Sequence, residues 1–422
     1  MPNHLLMSVR HLKHCIQMLV MYRRSICIWL TTVTFCSYVL FVNNCISPFQ
    51  LQIEADLSLT KLEFAIISSS SYAFVYLFGQ FYNGYLIQRY GFRAVMVFAV
   101  LSCICSNLLL ACTNSFVWIL LARLFAACGA VFAFITFILL VRLTFPQRYQ
   151  GPFIGLGSLM SGLFASSAFY FTSVWTGSWH AFFLRMLFVC VVLLSLIVWH
   201  IPKGGEPAKL NGHHLRNMYR LLEDKYVLSL LVFCGSIYSG MQYLSSNEAF
   251  IFFQMKHFGV TEIKDFLTIA WIGYAVGCCV SGCLVGRIAK PDYILRDYVL
   301  LSFFCFVVIV YCNFNYVLNL LCFLMLGFSA SGLIVALAFL NYALSEVEFL
   351  YVTSLVNLIV GLVSFVNPLV IGGMLDLMTT NMVADLTKYQ ISFIYLSFFI
   401  AMPLLVFKKY AVSFDDKLFL SR

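Results

Sequence analysis

The chain has 422 residues, of which 62% are hydrophobic, 17% aromatic and only 10% charged, where a typical soluble domain carries about a quarter charged residues and under half apolar ones. That excludes a soluble globule, since the longest stretch poor in apolar residues, Pro202 to Lys225, is too short for a domain core. The formal charge of +9 does not mark a nucleic-acid binder, because the basic residues are scattered between apolar runs and form no single stripe.

A hydrocarbon core about 30 Å thick takes roughly 20 apolar residues as helix, and no other open structure satisfies its own backbone there. Arg10, Lys13, Arg23 and Arg24 precede the run Ile26 to Ile46. That run is too long for a signal peptide and no small-x-small cleavage site follows it, so it reads as a retained first span. The next five spans are Phe64 to Ile87, Ala94 to Cys112, Phe116 to Leu143, Phe153 to Trp175 and Ala181 to Ile201. After the polar stretch come Val227 to Gln254, Phe266 to Val285, Tyr298 to Cys312, Val317 to Leu340, Leu350 to Leu375 and Ile391 to Phe407; the ninth and twelfth are the shortest. The expected fold is therefore all-α, with twelve transmembrane helices in two pseudo-symmetric six-helix bundles.

Placing the N-terminus in the cytoplasm puts twenty of the 26 basic residues on that side, among them Arg89, Arg142, Arg216, Arg287 and Lys408. Only Lys61, Lys256, Lys264 and Lys388 fall opposite, with Arg123 and Arg185 inside spans. This is the alternation that the positive-inside rule predicts, and it puts both termini in the cytoplasm of a plasma or inner membrane. The expected organisation is a segment 1–25, a first bundle 26–201, a linker 202–226, a second bundle 227–407 and a tail 408–422.

In each bundle the second span ends in glycines and a basic turn, Gly84 to Arg93 and Gly282 to Lys290, and the two leading glycines lie 198 positions apart (282 − 84). Internal repeats of this kind are common in secondary transporters. The stretch Gly84-Tyr-Leu-Ile-Gln88-Arg89-Tyr-Gly91-Phe-Arg93 resembles the loop signature of the major facilitator superfamily, G-x-x-x-D-R/K-x-G-R/K-R/K. Gly84, Arg89, Gly91 and Arg93 match; Gln88 stands where the family usually has Asp, and an amide cannot pair as an anion. The second copy, Gly282-Cys-Leu-Val-Gly286-Arg287, also lacks the acid. Asp56-Leu-Ser-Leu-Thr60, Phe145-Pro146 with Arg148 and Gly151, and Ser178-Trp179 are similar to family patterns too, whereas span five lacks the antiporter Gly-Pro. The resemblance implies a cytoplasmic latch at these turns, and a central cavity lined by spans one, four, seven and ten.

Arg123, in span four, matches the family's fourth-span arginine. A charge at that depth faces protein or water, which leaves a structural or gating role beside an anion- or proton-linked one. Gly235, Ser239, Gln242 and Ser246 fall on one face of span seven, with Tyr238 and Tyr243 beside them. Asn43, Asn44, Asn357 and Asn367 are similar polar candidates; interhelical hydrogen bonding is the alternative for all of them. Gly155, Ser158, Gly162 and Ser166 in span five and Gly273 and Gly277 in span eight read as packing surfaces. Acidic residues are sparse within the spans, so Glu248, near the outer end of span seven, is the candidate for proton coupling.

The sixteen cysteines lie mostly in apolar runs with no CxxC pair or Cys/His ligand spacing, so they read as small apolar residues and no metal or cofactor is expected. No HExxH, GxSxG or Walker A motif points to an enzyme. The expected function is secondary transport of a small neutral or zwitterionic organic solute, such as an amino acid, by a monomer in the lipid bilayer, with protons as the candidate coupling ion. A solute sensor or passive facilitator on the same scaffold is the alternative.

Overall fold

The computed structural model describes residues 23–203, 214–284, 291–344, 346–380 and 385–410, with only the backbone described at some helical positions, Gln88 and Gly282 among them. Gly286 and Arg287 lie outside the described residues. Among the described residues, twelve helices are long and apolar enough to cross a membrane. They are α1 (Arg23–Asn44), α2 (Lys61–Ile87), α3 (Arg89–Cys112), α4 (Phe116–Thr144), α5 (Gln147–Ser173) and α6 (Trp179–His200). After them come α7 (Lys225–Ser246), α8 (Val260–Leu284), α9 (Pro291–Tyr311), α10 (Tyr316–Leu340), α11 (Glu346–Thr380) and α12 (Asp385–Tyr410).

Local chemistry sets the helix ends. Thr60 and Glu63 form a capping box at the start of α2, each side chain accepting the other's backbone N–H. Ser178, Asp224 and Asn315 cap α6, α7 and α10. Trp179 Nε1 donates to Asp56 Oδ2 at 2.9 Å, which gives two of the family-like stretches a structural purpose. Helices α9 and α12 begin earlier than hydropathy alone indicates, because polar first turns at Pro291 and Asp385 extend them. The predicted seventh span breaks at Asn247: α7 stops at Ser246 and a short helix, Ala249–Met255, follows. The predicted linker contains a further helix, His214–Glu223.

The buried cores follow the chain order. One cluster runs from Ile28 to Ile201 and a second from Met218 to Val356. A third joins Ala165 and Phe169 of α5 to residues from Met241 to Ile400. A Cβ on Gly273 would strike the Leu324 carbonyl of α10, and one on Gly327 would strike the Ala270 carbonyl of α8. These glycines therefore let the α8 and α10 backbones touch, the usual way membrane helices approach closely. Gly162 does the same for α5 against Ala275 of α8, whereas Gly155 faces open space.

Candidate functional site

Helix α2 is not α-helical throughout. Ile66–Ser70 forms a π turn, in which the Ser71 N–H donates to the Ile66 carbonyl. Such turns inside α-helices recur at functional sites. Arg123 of α4 sits against it, 1% exposed. Its Nε donates to the Ile67 carbonyl at 2.7 Å, and its Nη2 donates to the Ser68 carbonyl at 2.7 Å and to Asn43 Oδ1 at 2.8 Å. The guanidinium also lies 4.9 Å from the Tyr72 ring centre. A buried charge needs such partners to be tolerated, and here they are neutral: carbonyls, an amide and a ring face.

Beside this turn a cavity of about 140 Å3 lies between the first six spans and the last six. Asn43, Ser69, Tyr72, Tyr76 and Phe134 line it from one side, and Tyr238, Gln242, Gly361 and Ser364 from the other. The lining side chains come from α1, α2, α4, α7 and α11 and carry no formal charge. Helix α11 contributes where the resemblance implied span ten. Gln242 Nε2 donates to Ser69 Oγ at 3.3 Å across the cavity. Arg123 instead borders a separate void of about 10 Å3, shared with Tyr38, Ser106 and Asn107, which is the size of one water.

Of the other polar candidates, Asn44 donates to the Ala165 carbonyl and Ser239 to the Ser236 carbonyl. Tyr243 packs edge-on against Phe393. None of these three, nor Asn357, lines the cavity among the described residues. The buried Asn357 Nδ2 has no hydrogen-bond partner among the described residues.

Toward the Lys61 end of the bundle, polar contacts join the two sets of spans. Ser68 Oγ donates to Asn247 Oδ1 at 2.8 Å, Ser69 Oγ to the Ser364 carbonyl at 3.3 Å and Ser70 Oγ to the Phe365 carbonyl at 3.1 Å. The Leu62 N–H donates to Asp376 Oδ2 at 3.1 Å. Glu248, 2% exposed, accepts from the Tyr389 hydroxyl at 2.9 Å and lies 3.8 Å from Lys61 Nζ, which also bonds Glu54. Glu248 sits outside the span, between α7 and the short helix. Burial pushes its carboxyl up to about 7, with Lys61 pulling it back down.

At the opposite end, Gly91 in the first turn of α3 adopts φ 79°, ψ 162°, a conformation essentially restricted to glycine. Arg93 Nε donates to the Ile201 carbonyl at 2.6 Å, and Arg89 bonds the Tyr85 hydroxyl at 2.7 Å beside Tyr90. These bonds stay within the first six spans, so here the turn ties α3 to the end of α6. The Gly84 N–H donates to Asn83 Oδ1 at 2.6 Å. The Arg142 guanidinium of α4 does cross, lying 4.6 Å from the Phe349 ring centre of α11.

The profile of the Major Facilitator Superfamily matches residues 30–368. The chain belongs to the Major Facilitator Superfamily. It is 34% identical over 127 residues to an uncharacterized MFS-type transporter, YfiU, of Bacillus subtilis (strain 168). That match spans 29% of this chain and 24% of the relative. The fold is similar to that of a bacterial homolog of the human lysosomal transporter Spinster. The inward-facing occupied form aligns with a TM-score of 0.70 at 12% identity, covering 94% of this chain and 97% of that one. The inward-facing unoccupied form gives 0.68 at 13% identity, covering 94% and 98%. By family and fold the chain is a multi-pass membrane transporter of this superfamily rather than an enzyme.

Several site residues have no sequence signal of their own. Tyr72, Tyr76 and Ser364 look like ordinary span residues, and the partners of Glu248, namely Lys61 and Tyr389, are far away in sequence. The run Ser68-Ser69-Ser70-Ser71 was a usable signal, since four adjacent hydroxyls inside a span are unusual for a purely lipid-facing helix.

Proposed function

We propose that this chain is a secondary transporter that moves a small organic solute, neutral or zwitterionic and of amino-acid size, by alternating access. The observation that carries the reading is the uncharged cavity walled by spans of both sets. At about 140 Å3 it is smaller than the roughly 300–1,000 Å3 of drug-sized sites. Its walls pair tyrosine faces with the amides of Asn43 and Gln242, which suits a compact solute with hydrogen-bonding groups. The distribution of basic residues supports cytoplasmic termini, so the Lys61 end faces outward and the polar contacts there close the outer side. Bundles 26–201 and 227–407 are then the two rocking bodies, with Asn43, Tyr238 and Gln242 touching solute and Glu248 taking up the coupling proton.

Thermal-shift screening of purified protein against metabolites tests this, since a ligand stabilises the state that binds it. A stabilising neutral or zwitterionic solute is expected, with Gln242→Ala weakening its affinity while leaving folded yield intact. Stabilisation by multiply charged compounds alone, or equal loss of yield and affinity in Gln242→Ala, contradicts the site.

A further inference from the structure

We infer that Arg123 is a positioning residue for the closure at the Lys61 end: it holds residues 66–70 of α2 in the π turn that sets Ser68, Ser69 and Ser70 against α7 and α11, without itself touching solute. The argument starts from one carbonyl. In a regular α-helix the Ser71 N–H would donate to Ile67, four residues back. It donates to Ile66 instead, and the freed Ile67 carbonyl is the one that accepts Arg123 Nε at 2.7 Å. The Ser68 carbonyl, next in line, accepts Nη2 at 2.7 Å. Arg123 and the α register therefore compete for the same acceptors, and the planar fork of a guanidinium can take two of them together.

The other side of the same turn carries the consequence. Ser68 Oγ reaches Asn247 Oδ1, Ser69 Oγ reaches the Ser364 carbonyl and accepts from Gln242, and Ser70 Oγ reaches the Phe365 carbonyl. Four consecutive residues thus face α4 through two carbonyls, Ile67 and Ser68, and the last six spans through three hydroxyls, Ser68 to Ser70. Relaxing the turn to α geometry rotates its two flanks against each other by something on the order of the 100° that one residue occupies in a helix. The serines cannot then keep all three partners while Tyr72 stays under the guanidinium. Ser69 and Tyr72 also line the cavity, so the turn links the state of the closure to the shape of the solute site.

Hydrogen-exchange mass spectrometry on the full chain in lipid nanodiscs, with no solute added, tests this. The variants are Arg123→Gln, Arg123→Lys and the double variant Ser68→Ala with Ser70→Ala. Arg123→Gln is expected to speed exchange of residues 61–72, 242–250 and 360–376 roughly tenfold or more, the scale of losing charge-assisted hydrogen bonds. Residues 130–144 of the same helix keep their protection. Arg123→Lys recovers part of the effect, since an ammonium can satisfy one carbonyl but not the fork. The serine double variant frees 242–250 and 360–376 while 66–72 stays protected by the intact arginine. Uniform loss of protection along α4, or unchanged exchange in 242–250 and 360–376 in Arg123→Gln, overturns the inference. If Arg123→Gln fails to fold, the serine variant decides: unchanged exchange in 242–250 and 360–376 overturns it. Because the readout needs no solute, its failure is distinguishable from failure of the transport reading.

Discussion

Replacing Glu248 by Gln removes a buried titratable carboxyl from the Lys61-end closure. The carboxyl is buried, accepts from the Tyr389 hydroxyl of α12, and faces Lys61 of α2, whose ammonium is shared with Glu54; Gln50 and Tyr243 complete its surroundings. Burial raises it from the ordinary 4.5 to about 7 despite Lys61. If the open form returns it to water at 4.5, the full difference is worth about 3 kcal/mol, or roughly 300-fold in population. A raised carboxyl favours the closed form fully below pH 4.5, and that contribution is lost as pH climbs through 7. Hydrogen exchange of residues 242–250, corrected for the intrinsic pH dependence of exchange, is therefore expected to lose up to about a hundredfold protection between pH 5 and 8. Glu248→Gln, a permanent mimic of the neutral form, should be flat over that interval and protected at least as well as wild type at pH 5. A flat wild-type profile, or the same slope in the variant, refutes the reasoning.

Gly327→Ala places a methyl on the Ala270 carbonyl and should destabilise the α8–α10 contact by about 1–3 kcal/mol, seen as a lower melting temperature in the same lipid. Gly91→Ala forces a side chain into the φ 79° conformation at a cost of about 1–3 kcal/mol. Its exchange should rise locally at residues 88–95 and leave the Lys61 end unchanged.

The fold was legible because the bilayer imposes it. Runs of apolar residues and the sidedness of Lys and Arg constrain twelve helices without any tertiary information. Where hydropathy erred, the cause was local: polar first turns lengthened α9 and α12, and Asn247 broke the predicted seventh span. The site was only partly legible. Periodicity put Gly235, Ser239, Gln242 and Ser246 on one face, yet of these Gln242 lines the cavity while Ser239 bonds back to its own helix. A hydroxyl's choice between its own backbone and a neighbour depends on the surrounding packing, which no single helix encodes. Arg123 illustrates the same limit, for two of its three hydrogen-bond acceptors are backbone carbonyls of the π turn, and carbonyls carry no sequence identity. Arg89 and Arg93 were found by pattern, but their partners here, Tyr85 and the Ile201 carbonyl, follow from the geometry of the turn.

Solute counterflow in proteoliposomes tests the central claim most directly, using the metabolite that thermal shift identifies. Alternating access predicts that internal unlabelled solute drives transient accumulation of external labelled solute, and that Gln242→Ala raises the concentration needed. Saturable binding without flux, as in a sensor, or flux without counterflow, as in a passive pore, would contradict it.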